Sequence, residues 1–107
     1  VNLESENSIA DCAQFILSQI QSLRILVNNS AVQRSSPELG GADKTCRLSC
    51  LSADALLRMF HINAVAPMMI LKHFSPLLKE DPSYCINISS ARGALYTDET
   101  PNSSGNY

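Results

Sequence analysis

Two short apolar runs each end in amide and hydroxyl side chains. Leu23 to Val27 runs into Asn28-Asn29-Ser30-Ala31, and Tyr84, Ile86 and Ile88 lead into Ser89-Ser90-Ala91-Arg92-Gly93. Nearly continuous apolar runs of this length suit strands covered on both faces, as in a parallel sheet. In an open parallel sheet, ligands bind beyond the carboxyl ends of the strands, which is where both polar clusters fall. Asparagines also terminate strands, and paired serines also satisfy local backbone groups, so neither cluster defines a site by itself. A third candidate is Asn63, set between Ile62 and Val65 in an apolar stretch. An amide in that setting needs a hydrogen-bonding partner.

Other elements must hold these residues. From Ser5 to Gln21, apolar residues recur at Ile9, Cys12, Ala13, Ile16, Leu17 and Ile20, the spacing of an amphipathic helix. Ser5 or Ser8 can cap its start, and Glu6 suits its first turn. Residues 30 to 50 gather Ser35, Ser36, Pro37, Gly40, Gly41 and Asp43 without a period, which predicts a loop. Ser52 is a candidate N-cap for a long helix running from Ala53 to Leu78. It is apolar on most sides, hence buried against more than one neighbour, and Pro67 should kink it. Asp81 and Pro82 predict a turn, and Ser83 to Ser89 a second strand. Helix, strand, long helix, strand is the order of a parallel α/β sheet with right-handed crossovers. The polar, Ser- and Gly-containing residues 94–107 predict an irregular loop.

Composition narrows the possible partners. Of 107 residues, 45% are hydrophobic and 17% charged, with a formal charge of -2, so the chain is an ordinary globular one. The Lys and Arg residues are scattered rather than striped, which argues against nucleic acid. The cluster Lys72, His73 and Lys79 reads as a solvated face. No signal peptide is visible, and the longest apolar run, Ala64 to Leu71, is far short of the ~20 residues of a membrane span. Cys12, Cys46, Cys50 and Cys85 are irregularly spaced and joined only by His61 and His73, so no metal site is expected. Reduced thiols point to a cytoplasmic protein. Asn-x-Ser sequons begin at Asn28, Asn87 and Asn102; the first two are read as lying in buried strands, where a glycan cannot fit.

Taken in order along the chain, these features resemble a known family. Leu26-Val27-Asn28-Asn29-Ser30-Ala31 is similar to the Asn-Asn-Ala-Gly segment after the fourth strand of short-chain dehydrogenases/reductases. Met59-Phe60-His61-Ile62-Asn63-Ala64-Val65-Ala66-Pro67 resembles the family's central helix, and Ile86-Asn87-Ile88-Ser89-Ser90 its fifth strand. The resemblance implies the central strand-helix-strand portion of a doubly wound, Rossmann-like parallel sheet, with all 107 residues belonging to one NAD(P)-binding domain. It implies that Asn28, Asn29, Ser30 and Ala31 lie along the cofactor, with Asn29 near the adenosine ribose. It implies that Asn63 holds a water in a proton relay and that Ser90 binds the substrate oxygen. A tyrosine of a Tyr-x-x-x-Lys motif would supply the proton.

Leu56 to Leu78, Ser90-Ala91-Arg92-Gly93 and Ser104-Gly105-Asn106-Tyr107 look most like the C-factor and sniffer-type carbonyl reductase branch. That implies NADP, with NAD an alternative, and a small-molecule carbonyl or alcohol as substrate. It also implies a homo-oligomer formed through the long helix. Two features depart from the pattern. The only glycines are Gly40, Gly41, Gly93 and Gly105, so no glycine-rich turn for a pyrophosphate is present, and Ala31 stands where the motif has glycine. Tyr107 lies 17 residues beyond Ser90, a longer interval than usual. It is therefore either the catalytic tyrosine or its neighbour, and no lysine follows it. The expectation is a fragment inactive by itself, part of an oxidoreductase; the alternative is a non-catalytic interaction protein using the helix 53–78 as a dimerisation face.

Overall fold

In the computed structural model, residues 1–33 and 52–90 are described. The expected loops at 34–50 and 94–107, with Gly93, Asn102 and Tyr107, lie outside them. Helix α1 spans Glu6–Gln19, strand β1 Ile25–Asn28, helix α2 Ala53–Phe60, helix α3 Ala66–Phe74 and strand β2 Tyr84–Asn87. A π-helical turn, His61–Val65, joins α2 to α3, and a 3-10 turn, Ser75–Leu77, closes the helical run. The strands pair in parallel, with Ile25 opposite Tyr84 and Asn28 opposite Asn87. A parallel pair with a helix between its strands is the partial Rossmann-like architecture expected, because strands that run the same way need a crossover between them.

Local chemistry starts both helices as expected. The Ser5 hydroxyl accepts from the Ser8 N–H at the head of α1, and the Ser52 hydroxyl accepts from the Ala55 N–H at the head of α2. Each satisfies one of the amides that a first helical turn leaves without an intrahelical acceptor. Ser8, the other cap candidate, instead accepts from the Asn2 N–H.

The core lies between α1 and the helical run. Ile9 and Ala13 on α1, Ile62 and Ala66 at the π-turn and the head of α3, and Leu77 at its foot are the buried apolar residues. The small side chains of Ala13 and Ala66 let α1 and α3 pack together. Leu77 also fastens the helical run to the sheet: its carbonyl accepts from the Leu23 N–H at 2.7 Å, just before β1.

Three expectations change. The strands are not covered on both faces. Leu26, Asn28 and Cys85 are half-buried, whereas Ile25, Val27, Tyr84 and Ile86, the registered pairs of the other face, are each 42–51% exposed. Strand side chains alternate between faces, and the helices shelter one face only. The long helix is likewise not buried on most sides: Leu57, Phe60 and Met68 are exposed, because α1 covers a single side of it. Lys72 is exposed, in keeping with a solvated face, and with His73 it is also paired. The Lys72 ammonium lies 2.7 Å and His73 Nε2 3.0 Å from the Glu6 carboxylate, tying α3 to the first turn of α1. The third change is the place of the predicted kink. The irregularity is the π-turn just before Pro67, which itself sits acceptably in the first turn of α3.

The continuous helical run Ala53–Leu77 is 25 residues long, with mean hydropathy 1.2 in its most apolar window. In length and composition it could cross a membrane, although the apolar stretch within it is short. The core helix of a soluble domain passes the same criterion, so this is weak evidence.

Two outcomes follow. Hydrogen bonds from Lys72 and then His73, with their charges, hold the Glu6 carboxyl below its ordinary value of 4.5. A lowered folded-state value means that the tie stabilises fully above about pH 4.5 and is lost as the pH falls through the lowered value. Protection of the α1 amides, taken relative to the intrinsic exchange rate at each pH, should therefore fall modestly on acidification in the wild type, and Glu6→Gln should show the lower protection already at neutral pH. The uncovered apolar faces should also make the isolated 107-residue chain oligomeric or aggregated in sedimentation velocity. A monodisperse monomer with a sharp thermal transition would contradict this.

Candidate functional site

The parallel register brings both strands to an end at the same level, and there the chain divides. The last ladder bond runs from the Ile88 N–H to the Asn28 carbonyl, 2.9 Å. Beyond it, residues 29–33 head toward the helical run and 89–90 leave on the other side. Between them opens a cleft of about 430 Å³. All six residues singled out from the sequence, Asn28, Asn29, Ser30, Ala31, Asn63 and Ser90, line it. They come from three separated segments, and the parallel crossover brings them together. Ala64, Pro67, Met68 and Ile88 give the cleft an apolar wall. Its size falls within the range of small-molecule sites.

Asn63 sits in the middle of the π-turn. Its Oδ1 accepts from the Val32 N–H at 2.9 Å, and its Nδ2 donates to the Val32 carbonyl at 2.7 Å. The expected partner of this amide is therefore a main-chain segment at the rim, and Asn63 is itself exposed. Both functions of the side chain are engaged with Val32. Pro67, four residues on, has no N–H to give the Asn63 carbonyl the usual helical bond. The wide turn supports the same arrangement: the Ala66 N–H reaches back five residues to the His61 carbonyl. Such π-turns are frequent at functional sites.

Among the described residues, no hydrogen bond joins the side chain of Asn29 or Ser30 to a partner, and both are exposed at the rim. On its inner side the same segment, Asn28 to Ser30, borders a smaller recess of about 130 Å³ that Val1, Leu3 and Ile70 also line. The N-terminal strand of chain that forms this recess is held by Arg58, whose Nε and Nη2 donate to the two Glu4 carboxylate oxygens at 2.6 and 2.9 Å. The hydrogen bond from Arg58, above all, keeps the Glu4 carboxyl below its ordinary value.

The described lining of the cleft carries no ionisable side chain. It can bind, orient and polarise a ligand through amides and hydroxyls, but an acid or base must come from other residues. No group of His, Cys, Asp or Glu suited to a metal ion occurs among the described residues. Two contributors went unnoticed in the sequence, Val32 and Asn87. The Asn28 Nδ2 donates to the Asn87 Oδ1 at 2.8 Å. Asn28 and Asn87 also begin two of the sequons, and Asn87 is exposed at the cleft, so the expectation that burial keeps a glycan away from it does not hold.

A parallel α/β pair whose strand ends open on a polar cleft is consistent with part of a Rossmann-like fold. The short chain dehydrogenase family model matches residues 1–102, and the chain belongs to that family. The family's members are oxidoreductases that use NAD(H) or NADP(H). Comparisons with curated proteins and with solved structures find no match for the chain.

The clamp on Val32 is open to a direct test. Asn63→Asp keeps the acceptor for the Val32 N–H but sets an oxygen against the Val32 carbonyl, whereas Asn63→Ala loses both bonds. By nuclear magnetic resonance, exchange of the Val32 amide should be slowest in the wild type, faster in Asn63→Asp and fastest in Asn63→Ala. Equal rates in all three would mean that the clamp does not form.

Proposed function

We propose that this chain provides the central part of a reductase site for a small-molecule carbonyl, or, in reverse, an alcohol. The observation that carries the reading is the convergence of Asn28–Ala31, Asn63 and Ser90 on one cleft at the carboxyl ends of parallel strands. A bound nicotinamide cofactor would supply the hydride. Asn29 and Ser30, with unengaged polar side chains, would meet its ribose, and Asn28 would hold the strand beneath. Ser90 would donate its hydroxyl to the substrate oxygen as negative charge builds there. The Asn63 main-chain carbonyl would hold a water in the path by which the proton is resupplied. The lining is without ionisable groups, so the proton donor must be added to it, and a tyrosine phenol tuned by a lysine fits that need.

The residues present fit a cofactor in part. Polar groups at the strand ends suit a ribose, but the chain contains no glycine-rich turn to seat a pyrophosphate. A two-stranded parallel sheet with one bare face supports the reading that these residues form part of a larger Rossmann-type domain. NADP is the cofactor we favour and a C-factor or sniffer-type carbonyl reductase the branch, both on the resemblance of Leu56 to Leu78. Unpaired Cys12 and Cys85 accord with a cytosolic protein. The exposed stripe of Leu57, Phe60 and Met68, 59–67% accessible, supports a homo-oligomer joined through the long helix. That stripe also favours a second reading, a non-catalytic interaction protein, which binding of NADPH would exclude.

Pure 107-residue protein should show no nicotinamide-dependent reduction of any carbonyl substrate; robust NADPH oxidation would refute this. In a longer polypeptide that contains the chain and is active, Ser90→Ala should lower kcat by roughly 10²-fold with cofactor affinity nearly unchanged, in line with loss of one oxyanion donor. Ser89→Ala should be milder, because the family resemblance assigns the substrate oxygen to Ser90. A larger loss from Ser89→Ala would put the assignment out of register by one residue.

A further inference from the structure

We propose that Asn87 is a positioning residue that holds the cofactor side of the cleft to its serine side, acting through Asn28; this rests on the reductase reading above. The two asparagines stand opposite one another in the last registered pair of the sheet. At that level the strands are joined by one main-chain bond, Ile88 N–H to Asn28 carbonyl at 2.9 Å, and by one side-chain bond, Asn28 Nδ2 to Asn87 Oδ1 at 2.8 Å. The Asn28 amide also lies 3.8 Å from the Cys85 sulfur, a weak acceptor on the same sheltered face.

The position of this tie matters more than its energy. Asn29, Ser30 and Ala31 follow Asn28 directly, and Ser90 follows Asn87 by three residues. Beyond the tie, no regular pairing joins the two segments. Any twist at the branch point is therefore carried out along both arms of the cleft. On the far side, the Asn63 clamp fixes the first arm again at Val32. A displacement of about 1 Å between reacting groups can cost roughly 10²-fold in rate. An amide pair at the root of both arms, with Asn28 half-buried and Asn87 exposed, is placed to limit such displacement.

The direction of the bond makes the test specific. Asn87 serves as acceptor and Asn28 as donor, so Asn87→Asp keeps the acceptor oxygen while Asn87→Ala removes it. The exposed Asn87 can be replaced without opening a cavity. In the active full-length enzyme, Asn87→Ala should lower kcat about tenfold and weaken cofactor binding, Asn87→Asp should restore most of both, and the amide of Ile88 should exchange faster only in Asn87→Ala. Asn28→Ala combined with Asn87→Ala should be no worse than Asn28→Ala alone, as for two residues that share one interaction. Wild-type values of kcat and cofactor affinity in Asn87→Ala, equal losses in the Ala and Asp variants, or fully additive losses in the double variant would each overturn the proposal. A wild-type enzyme that fails to bind NAD(P)H would instead overturn the reductase reading itself, and the proposal with it.

Discussion

The parallel pairing of Ile25–Asn28 with Tyr84–Asn87 is the constraint on which the rest of the structure depends. Strands that run the same way cannot be joined by a tight turn, so the chain between them must cross over, and the long helix is that crossover. The same pairing sets both strand ends at one level. Polar residues that are 60 positions apart in sequence, Asn29 and Ser89 for instance, are thereby brought to line one cleft. A different register would leave the amides and hydroxyls at different heights, and no common site would form.

The irregularity in the helix serves the same site. A regular helix would spend each carbonyl on an N–H four residues ahead. The π-turn at His61–Val65 and Pro67 just beyond it break that pattern around Asn63. The asparagine can then turn its side-chain amide to the Val32 main chain while its own carbonyl lacks the usual helical partner. One residue thus fixes the rim segment. The local loss of helical regularity is confined to a stretch anchored by buried Ile62 and Ala66 on either side.

Hydrophobic burial and ion pairing contribute unequally to holding the helices. Full burial of a residue such as Ile9 or Leu77 is worth roughly 1.5–3 kcal/mol, whereas exposed ion pairs contribute little and are weakened by salt. The Glu6 pairs with Lys72 and His73 therefore select the angle and register of α1 against α3 more than they stabilise the contact. The few buried side chains and the broad exposed apolar surface, on the sheet and along Leu57, Phe60 and Met68, stand together. Helices on one side of a parallel pair can shelter only that side.

Helix starts were legible from the sequence, because a cap is a contact among neighbours: Ser5 and Ser52 accept from amides three residues on. The alternation of helix and strand was legible too, since periodicity reports which residues turn inward, and with it came the parallel α/β class. The candidate polar residues could be named from their place after apolar runs and from the family resemblance. What they touch was decided only by the tertiary structure. The partners of Glu6 lie 66 and 67 residues away, Val32 lies 31 from Asn63, and Asn28 meets Asn87 across 59. No local pattern encodes such distances, because strand register and helix rotation set them jointly. The same reason explains why the strands read as covered on both faces while one face is bare: an apolar run records the preference for burial, and only packing determines what does the burying.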